Sequence, residues 1–176
     1  MSKSMAKPLK IISMALMVLM ILLAVLMAGV RIFGVQIYMV LSGSMEPKYP
    51  TGSLLYITAA DPDKLEEGDV ITFRLHGSVT ATHRIVEVVT DEATGEEKFR
   101  TKGDANESTD ESLVAKEDVV GRAVFCIPLL GYLAAFIQQP PGLYVAIAAA
   151  VLMIVLVFLS DTLQEEKAKG EKSNEK

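Results

Sequence analysis

Three short segments of the chain carry side chains able to do chemistry together. The first, Leu41–Pro47 or "LSGSMEP", sets two hydroxyls, Ser42 and Ser44, on either side of Gly43. A serine attacks nothing without a base and a site for the developing oxyanion. In an acyl-transfer reading Ser44 attacks, Gly43 leaves room for substrate backbone, and Ser42 offers its hydroxyl to the oxyanion alongside the Ser44 backbone N–H. The same residues also make an ordinary turn, with Gly43 free to take positive φ. The second segment supplies the base. Of the two histidines, His76 stands beside Gly77 at what reads as a solvated hairpin tip. His83 lies mid-strand; strict alternation puts it on a face with Val79, Ala81 and Ile85, with Thr80, Thr82, Arg84 and Val86 on the other. Such an imidazole is either a satisfied core histidine or a base in a partly dry site. The third segment, Thr101–Asp110 or "TKGDANESTD", reads as an acidic turn and cap. It also contains two carboxylates, Asp104 and Asp110, either of which could hold His83 in one tautomer as the acid of a Ser-His-acid triad. Lys102 is the rival base, but a neighbouring carboxylate favours its charged form, the opposite of what a lysine base needs.

The elements that must position these groups are legible from composition. The chain has 176 residues, 51% of them hydrophobic, with the apolar content concentrated at its two ends. Residues 11–30, "IISMALMVLMILLAVLMAGV", and the run from Gly142 to Ser160 are uncharged. Each is long enough for a helix to cross a hydrocarbon core of roughly 30 Å. Neither has a polar face, which separates them from core helices, and the first exceeds the apolar region of a cleaved leader. Lys3, Lys7 and Lys10 precede the first span, and Lys167, Lys169, Lys172 and Lys176 follow the second, which puts both termini in the cytoplasm. The expected organisation is a cytoplasmic N-terminus (1–10), a transmembrane helix (11–30), an extracytoplasmic β-rich domain (31–139), a second transmembrane helix (140–160) and a disordered cytoplasmic tail (161–176).

Within the outer domain, "GSLLYIT", "DVITFRL", "VTATHRIVEVV" and "KFRTKGD" are separated by turn residues and predict an antiparallel sheet. "SLVAKEDVVGRAVFCIP" predicts a short turn or 3₁₀ segment and one more strand, and Pro128, Pro140 and Pro141 bound a linker. From Leu41 to Gln139 there are nine Lys or Arg against seventeen Asp or Glu. So acidic a domain is a poor nucleic-acid binder. The single cysteine, Cys126, excludes an intramolecular disulfide and a Cys-based zinc site and reads as packing. Nothing in the pattern calls for a metal or another cofactor.

The order "SGSMEP", "GDVITF", "HRI", "KGDANESTD" behind an N-terminal anchor resembles signal peptidase I. The resemblance is to the branch shared by the endoplasmic reticulum, archaea and some Gram-positive bacteria, which has histidine where the commoner bacterial enzymes have a lysine base. It covers about Tyr38 to Asp110. It implies an all-β extracytoplasmic catalytic domain, an antiparallel coiled sheet, with a transmembrane helix at each end. It implies Ser44 as nucleophile, His83 as general base, Asp110 as the better candidate for the acid with Asp104 supporting it, and an oxyanion hole from Ser42 and Ser44. It further implies that the strand Asp69, Val70, Ile71 to Phe73, with Met45, lines a cleft where an extended peptide adds as a strand. One position departs: Ala105 stands where a polar residue is more usual. The implied activity is serine endopeptidase removal of signal peptides from secretory preproteins after small residues, without a cofactor, at the plasma membrane of a prokaryote. Its partners would be those preproteins, the lipid bilayer and the protein translocation machinery. Two rival readings remain: a maturation protease for a few secreted precursors, and a non-catalytic membrane-anchored peptide-binding module.

Overall fold

The computed structural model describes residues 6–27, 29–75, 77, 79–91 and 95–174 and divides into two units. His76 and the turn residues 92–94 lie outside the described residues, so the reading of His76 as a hairpin tip does too.

The first unit joins both ends of the chain. Helix α1 (Ala6–Met27) packs against a long helix at the other end, and the two contain apolar stretches, Lys10–Met27 and Gly142–Ser160, of mean hydropathy 2.6 and 2.8. Most of their large side chains, among them Ile11, Leu22, Leu152 and Phe158, face outward. By length and composition both could cross a membrane. Two expectations need correcting. The first helix stops at Met27 and passes into a 3₁₀ turn, Gly29–Phe33, just ahead of Gly34 at φ 76°. The C-terminal helix runs on to Asn174 where a disordered tail was expected. The reason is local: "LQEEKAK" contains strong helix formers, with Glu165 and Glu166 four and three positions ahead of Lys169.

The second unit, Val30–Ala134, holds a seven-stranded sheet. Its strands are β1 (Gln36–Met39), β2 (Leu54–Thr58), β3 (Val70–Arg74), β4 (Thr80–Thr90), β5 (Glu97–Lys102), β6 (Val114–Ala115) and β7 (Val119–Ile127). They lie in the order β1-β2-β7-β3-β4-β5-β6, every pair antiparallel. The antiparallel sheet is as expected. Two elements are not. β1 comes from the apolar "QIYM", which lies within the expected β-rich domain but was not singled out as a strand. The expected linker after Pro128 contains helix α2 (Leu130–Gln138), because "LGYLAAFIQ" is rich in helix formers and the prolines lie outside it. The remaining long helix is α3 (Gly142–Asn174).

Alternation along the strands buries both faces of the sheet. Leu55, Ile57 and Val70 join Met45, Tyr49 and Ala123 in one cluster; Ile71, Phe73, Ile85 and Phe99 join Leu65 and Val114 in another. β3 feeds both because consecutive residues point to opposite sides. The register shifts between Tyr56 and Ile57, between Thr72 and Phe73, and between Ile85 and Glu87. An extra residue at such a point bends a strand and increases its twist, which coils the sheet.

Candidate active site

Ser44 sits in the connection from β1 to β2. That connection is closed at its base by Val40 N–H donating to the Ser53 carbonyl and Gly52 N–H to the Val40 carbonyl, both at 2.9 Å. It is also pinned from within. Met45 and Tyr49 are buried in the core, and Glu46 Oε1 accepts from the Thr51 hydroxyl at 3.1 Å. Burial raises the Tyr49 phenol above its usual range. Gly43 is not among the glycines with positive φ. Its value lies in bareness: a Cβ there would meet Glu46 at 3.3 Å.

His83 sits on β4 opposite Ile71, its side chain 14% exposed, with the Phe73 ring in an edge-on arrangement, 6.2 Å between ring centroids. Ala81 and His83 look to one side, while Thr82 looks to the other and shares a 2.7 Å hydrogen bond with Thr72. His83 Nε2 lies 3.2 Å from Ser44 Oγ, and its Nδ1 lies 2.6 Å from Asp110 Oδ2. Asp110 is held in turn by Thr101. The buried Thr101 hydroxyl donates to the same Oδ2 at 2.6 Å, and the Asp110 N–H donates to the Thr101 carbonyl at 2.8 Å. Serine, imidazole and carboxylate thus form one line of hydrogen bonds. With Nδ1–H donated to the carboxylate, Nε2 is left as an acceptor facing a hydroxyl, the polarity a general base requires. Ser42 Oγ lies 3.3 Å from Ser44 Oγ.

Asp104 does not reach His83. It makes a two-pronged ion pair with Arg84, at 2.8 and 2.6 Å, while the same guanidinium donates to the Gly68 carbonyl at 2.7 Å. The bond to Asp104 raises the Arg84 pKa above its already high value. This pair anchors the turn after β5 next to Ser44, where Ala105 N–H donates to the Ser44 carbonyl at 2.9 Å. The departure at Ala105 is thereby explained: the contact is made by backbone, for which the side chain is immaterial. Gly103 is required in the same place, since a Cβ on it would stand 2.5 Å from the Ser44 carbonyl oxygen. Lys102 donates to the Glu107 carbonyl at 3.0 Å, away from this line.

The expected substrate cleft needs correcting. β3 is flanked by β7 and β4, so neither edge is free to take another strand. Val70, Ile71 and Phe73 are core residues, and Asp69 pairs with Arg122 at 3.0 Å. Of the cleft candidates, Met45 lines an open groove of about 350 Å³ beside Ser44. Its walls are strand edges. Tyr38 comes from β1, the strand at the end of the sheet, and Val40 from just after it; Thr80 and Thr82 come from the part of β4 that β5, pairing only from Arg84 onward, leaves open. Phe73 instead lines a second pocket, against His83 and Asp110. The roles of Thr101 and Ala105 N–H were not legible in the motifs, although the alternation of Phe99 and Thr101 signals that Thr101 turns inward.

Comparison with known proteins adds the following. Residues 11–92 match the family described as signal peptidase, peptidase S26. The signal peptidase complex catalytic subunit SEC11C of Homo sapiens is 35% identical over 129 residues, 69% of this chain and 67% of that one. The corresponding SEC11 of Colletotrichum graminicola is 32% identical over 130 residues, covering 69% and 74% of the two chains. Signal peptidase I W of Bacillus subtilis is 42% identical over 90 residues, 50% of this chain and 46% of that one. The family match takes in Ser44 and His83 and ends short of Asp110.

Proposed function

The chain belongs to the signal peptidase S26 family, and from that membership we propose that it is a membrane-bound serine endopeptidase. It removes N-terminal signal peptides from secretory preproteins after a small residue. The observation that carries the reading is the unbroken line from Ser44 Oγ through His83 to Asp110, at 3.2 and 2.6 Å.

In the proposed reaction Ser44 Oγ bonds to the scissile carbonyl carbon as its proton passes to His83 Nε2, and Asp110 steadies the imidazolium. The carbonyl oxygen, now an oxyanion, is met by the Ser44 N–H and the Ser42 hydroxyl. Collapse breaks the C–N bond, His83 returns the proton to the leaving amine, and an acyl ester remains on Ser44. A water deprotonated by His83 then attacks the ester carbon, the bond from that carbon to Ser44 Oγ breaks, the peptide leaves with a free carboxyl end, and the proton held by His83 returns to Ser44 Oγ. Substrate enters as an extended segment between the open edges of β1 and β4, a form of strand addition in which side chains on one side drop into the groove. Met45, Tyr49 and Leu55 line that groove with apolar surface, which suits a small apolar residue.

Both long helices cross the membrane in this reading, with the termini in the cytoplasm of a prokaryote and the sheet outside. Ser44 follows Val30 by fourteen residues, so the anchor sets the nucleophile near the outer face, where a signal peptide's apolar segment ends. The bilayer and the translocation machinery that delivers preproteins are then its surroundings.

The test is cleavage of a preprotein by the purified full-length protein with Ser44, His83, Asp110, Asp104 and Lys102 each replaced by alanine. Loss with Ser44→Ala and His83→Ala is expected. Survival of His83→Ala together with loss in Lys102→Ala would overturn the assignment.

A further inference from the structure

The second pocket, about 460 Å³, has no part in the mechanism above, yet His83 and Asp110 form part of its wall. It opens on the side of β4 opposite the groove at Ser44: Ala81 and His83 line it, while Thr80 and Thr82 line the groove. Beyond them its walls are Phe73, Leu75, Leu113 and Val114, with Glu111, Asp118 and Arg74 supplying charge. The Arg74 guanidinium donates to the Glu117 carbonyl at 3.5 Å.

A peptide strand laid along the open edge of β4 has side chains that alternate between the two sides of the sheet. The residue whose carbonyl Ser44 attacks, and the residue two before it, turn into the groove at Thr80 and Thr82. The residue between them stands beside Ala81 and turns the other way, toward this pocket. We infer that the pocket beside His83 receives the side chain immediately preceding the small residue at the scissile bond, and selects there for a long side chain that is neutral or basic. The inference rests on the signal-peptidase reading. An aliphatic stem fits along Leu75 and Leu113, and a cationic tip meets Glu111 and Asp118. An acidic tip meets the same carboxylates with like charge.

The test uses the full-length protein in detergent and four preproteins that differ only at this position, carrying Gly, Leu, Lys or Glu. kcat/KM should be several-fold higher for Leu and Lys than for Gly, and about tenfold higher for Lys than for Glu. Glu111→Lys, on an exposed residue, should cut the Lys-to-Glu ratio at least about threefold, or about half of that discrimination on a logarithmic scale. Ala81→Leu should lower the Leu-to-Gly ratio by filling the pocket. Equal rates for all four substrates, or a Lys-to-Glu ratio unmoved by Glu111→Lys, overturns the inference alone, provided the Gly substrate is cleaved and Ser44→Ala abolishes that cleavage. Failure to cleave any of the four, or cleavage that survives Ser44→Ala, overturns the signal-peptidase reading and this inference with it.

Discussion

Replacing Gly103 by alanine is a test of how the nucleophile is held. The new Cβ would stand 2.5 Å from the Ser44 carbonyl oxygen and 2.8 Å from the Asn106 side-chain nitrogen. Asn106 can swing away. The carbonyl cannot, because it belongs to the nucleophile's own peptide and accepts the Ala105 N–H at 2.9 Å. Gly103 is not in the left-handed region, so alanine adds no backbone strain and the effect is steric. To reach ordinary contact the Ser44 carbonyl must retreat by roughly one ångström, a displacement that in a catalytic group costs on the order of a hundredfold in rate. The accompanying overpacking destabilises by about 1–3 kcal/mol. Gly103→Ala should therefore lower kcat on a preprotein by about a hundredfold, with a modest drop in unfolding temperature in detergent and little change in KM. An unchanged kcat in a folded Gly103→Ala protein would refute the claim that this turn positions Ser44.

Other perturbations separate the two aspartates and the two faces of the core. Asp110→Asn should cut kcat by about 10²- to 10⁴-fold, whereas Asp104→Asn should act mainly on stability, by about 1–3 kcal/mol, since Arg84 loses a paired charge. Preprotein cleavage and thermal unfolding read both, and the reverse order would reject Asp110 as the acid. Phe99→Ala, at a side chain 1% exposed, should cost about 3–5 kcal/mol in denaturant unfolding. Burial raises the pKa of both Tyr49 and Tyr56. A raised folded value means that their contribution to stability is complete below the unfolded tyrosine pKa of about 10 and disappears as pH rises through the folded one. Alkaline unfolding should shift to higher pH in Tyr49→Phe, and an unaltered midpoint would count against this.

The meeting of Ser44, His83 and Asp110 was legible because a nucleophile, a base and an acid would need particular residue types, and those types sit in short motifs with a recognisable order. Antiparallel sheet was legible from β-branched runs punctuated by turns. Partner choice among strands was not. The cleft was expected on β3 because "DVITF" is a motif, but a strand's edges are taken or free according to which distant segment lies beside it. Here β7, some fifty residues further on, fills the edge next to β3. Asp104 was misleading for a related reason: its partner Arg84 lies on β4, next to the histidine it was expected to orient. β1 and α2 were missed because apolar stretches beside an anchor carry no period that distinguishes a strand or short helix from more of the anchor.

The position of β7 has a consequence for how the enzyme comes into being. β1 and β2 bracket the serine, β3 to β6 carry the imidazole and its carboxylate, and these two groups of strands do not pair with each other except through β7. β7 is also the last strand to leave the ribosome. Until it intercalates, the earlier hairpins can form by local pairing, but nothing in the sheet brings serine and imidazole together. Contacts between distant segments form late and at an entropic cost. Proteolytic competence should therefore arise in one concluding step, which spares the growing chain from a half-built protease beside the secretory traffic it is meant to process.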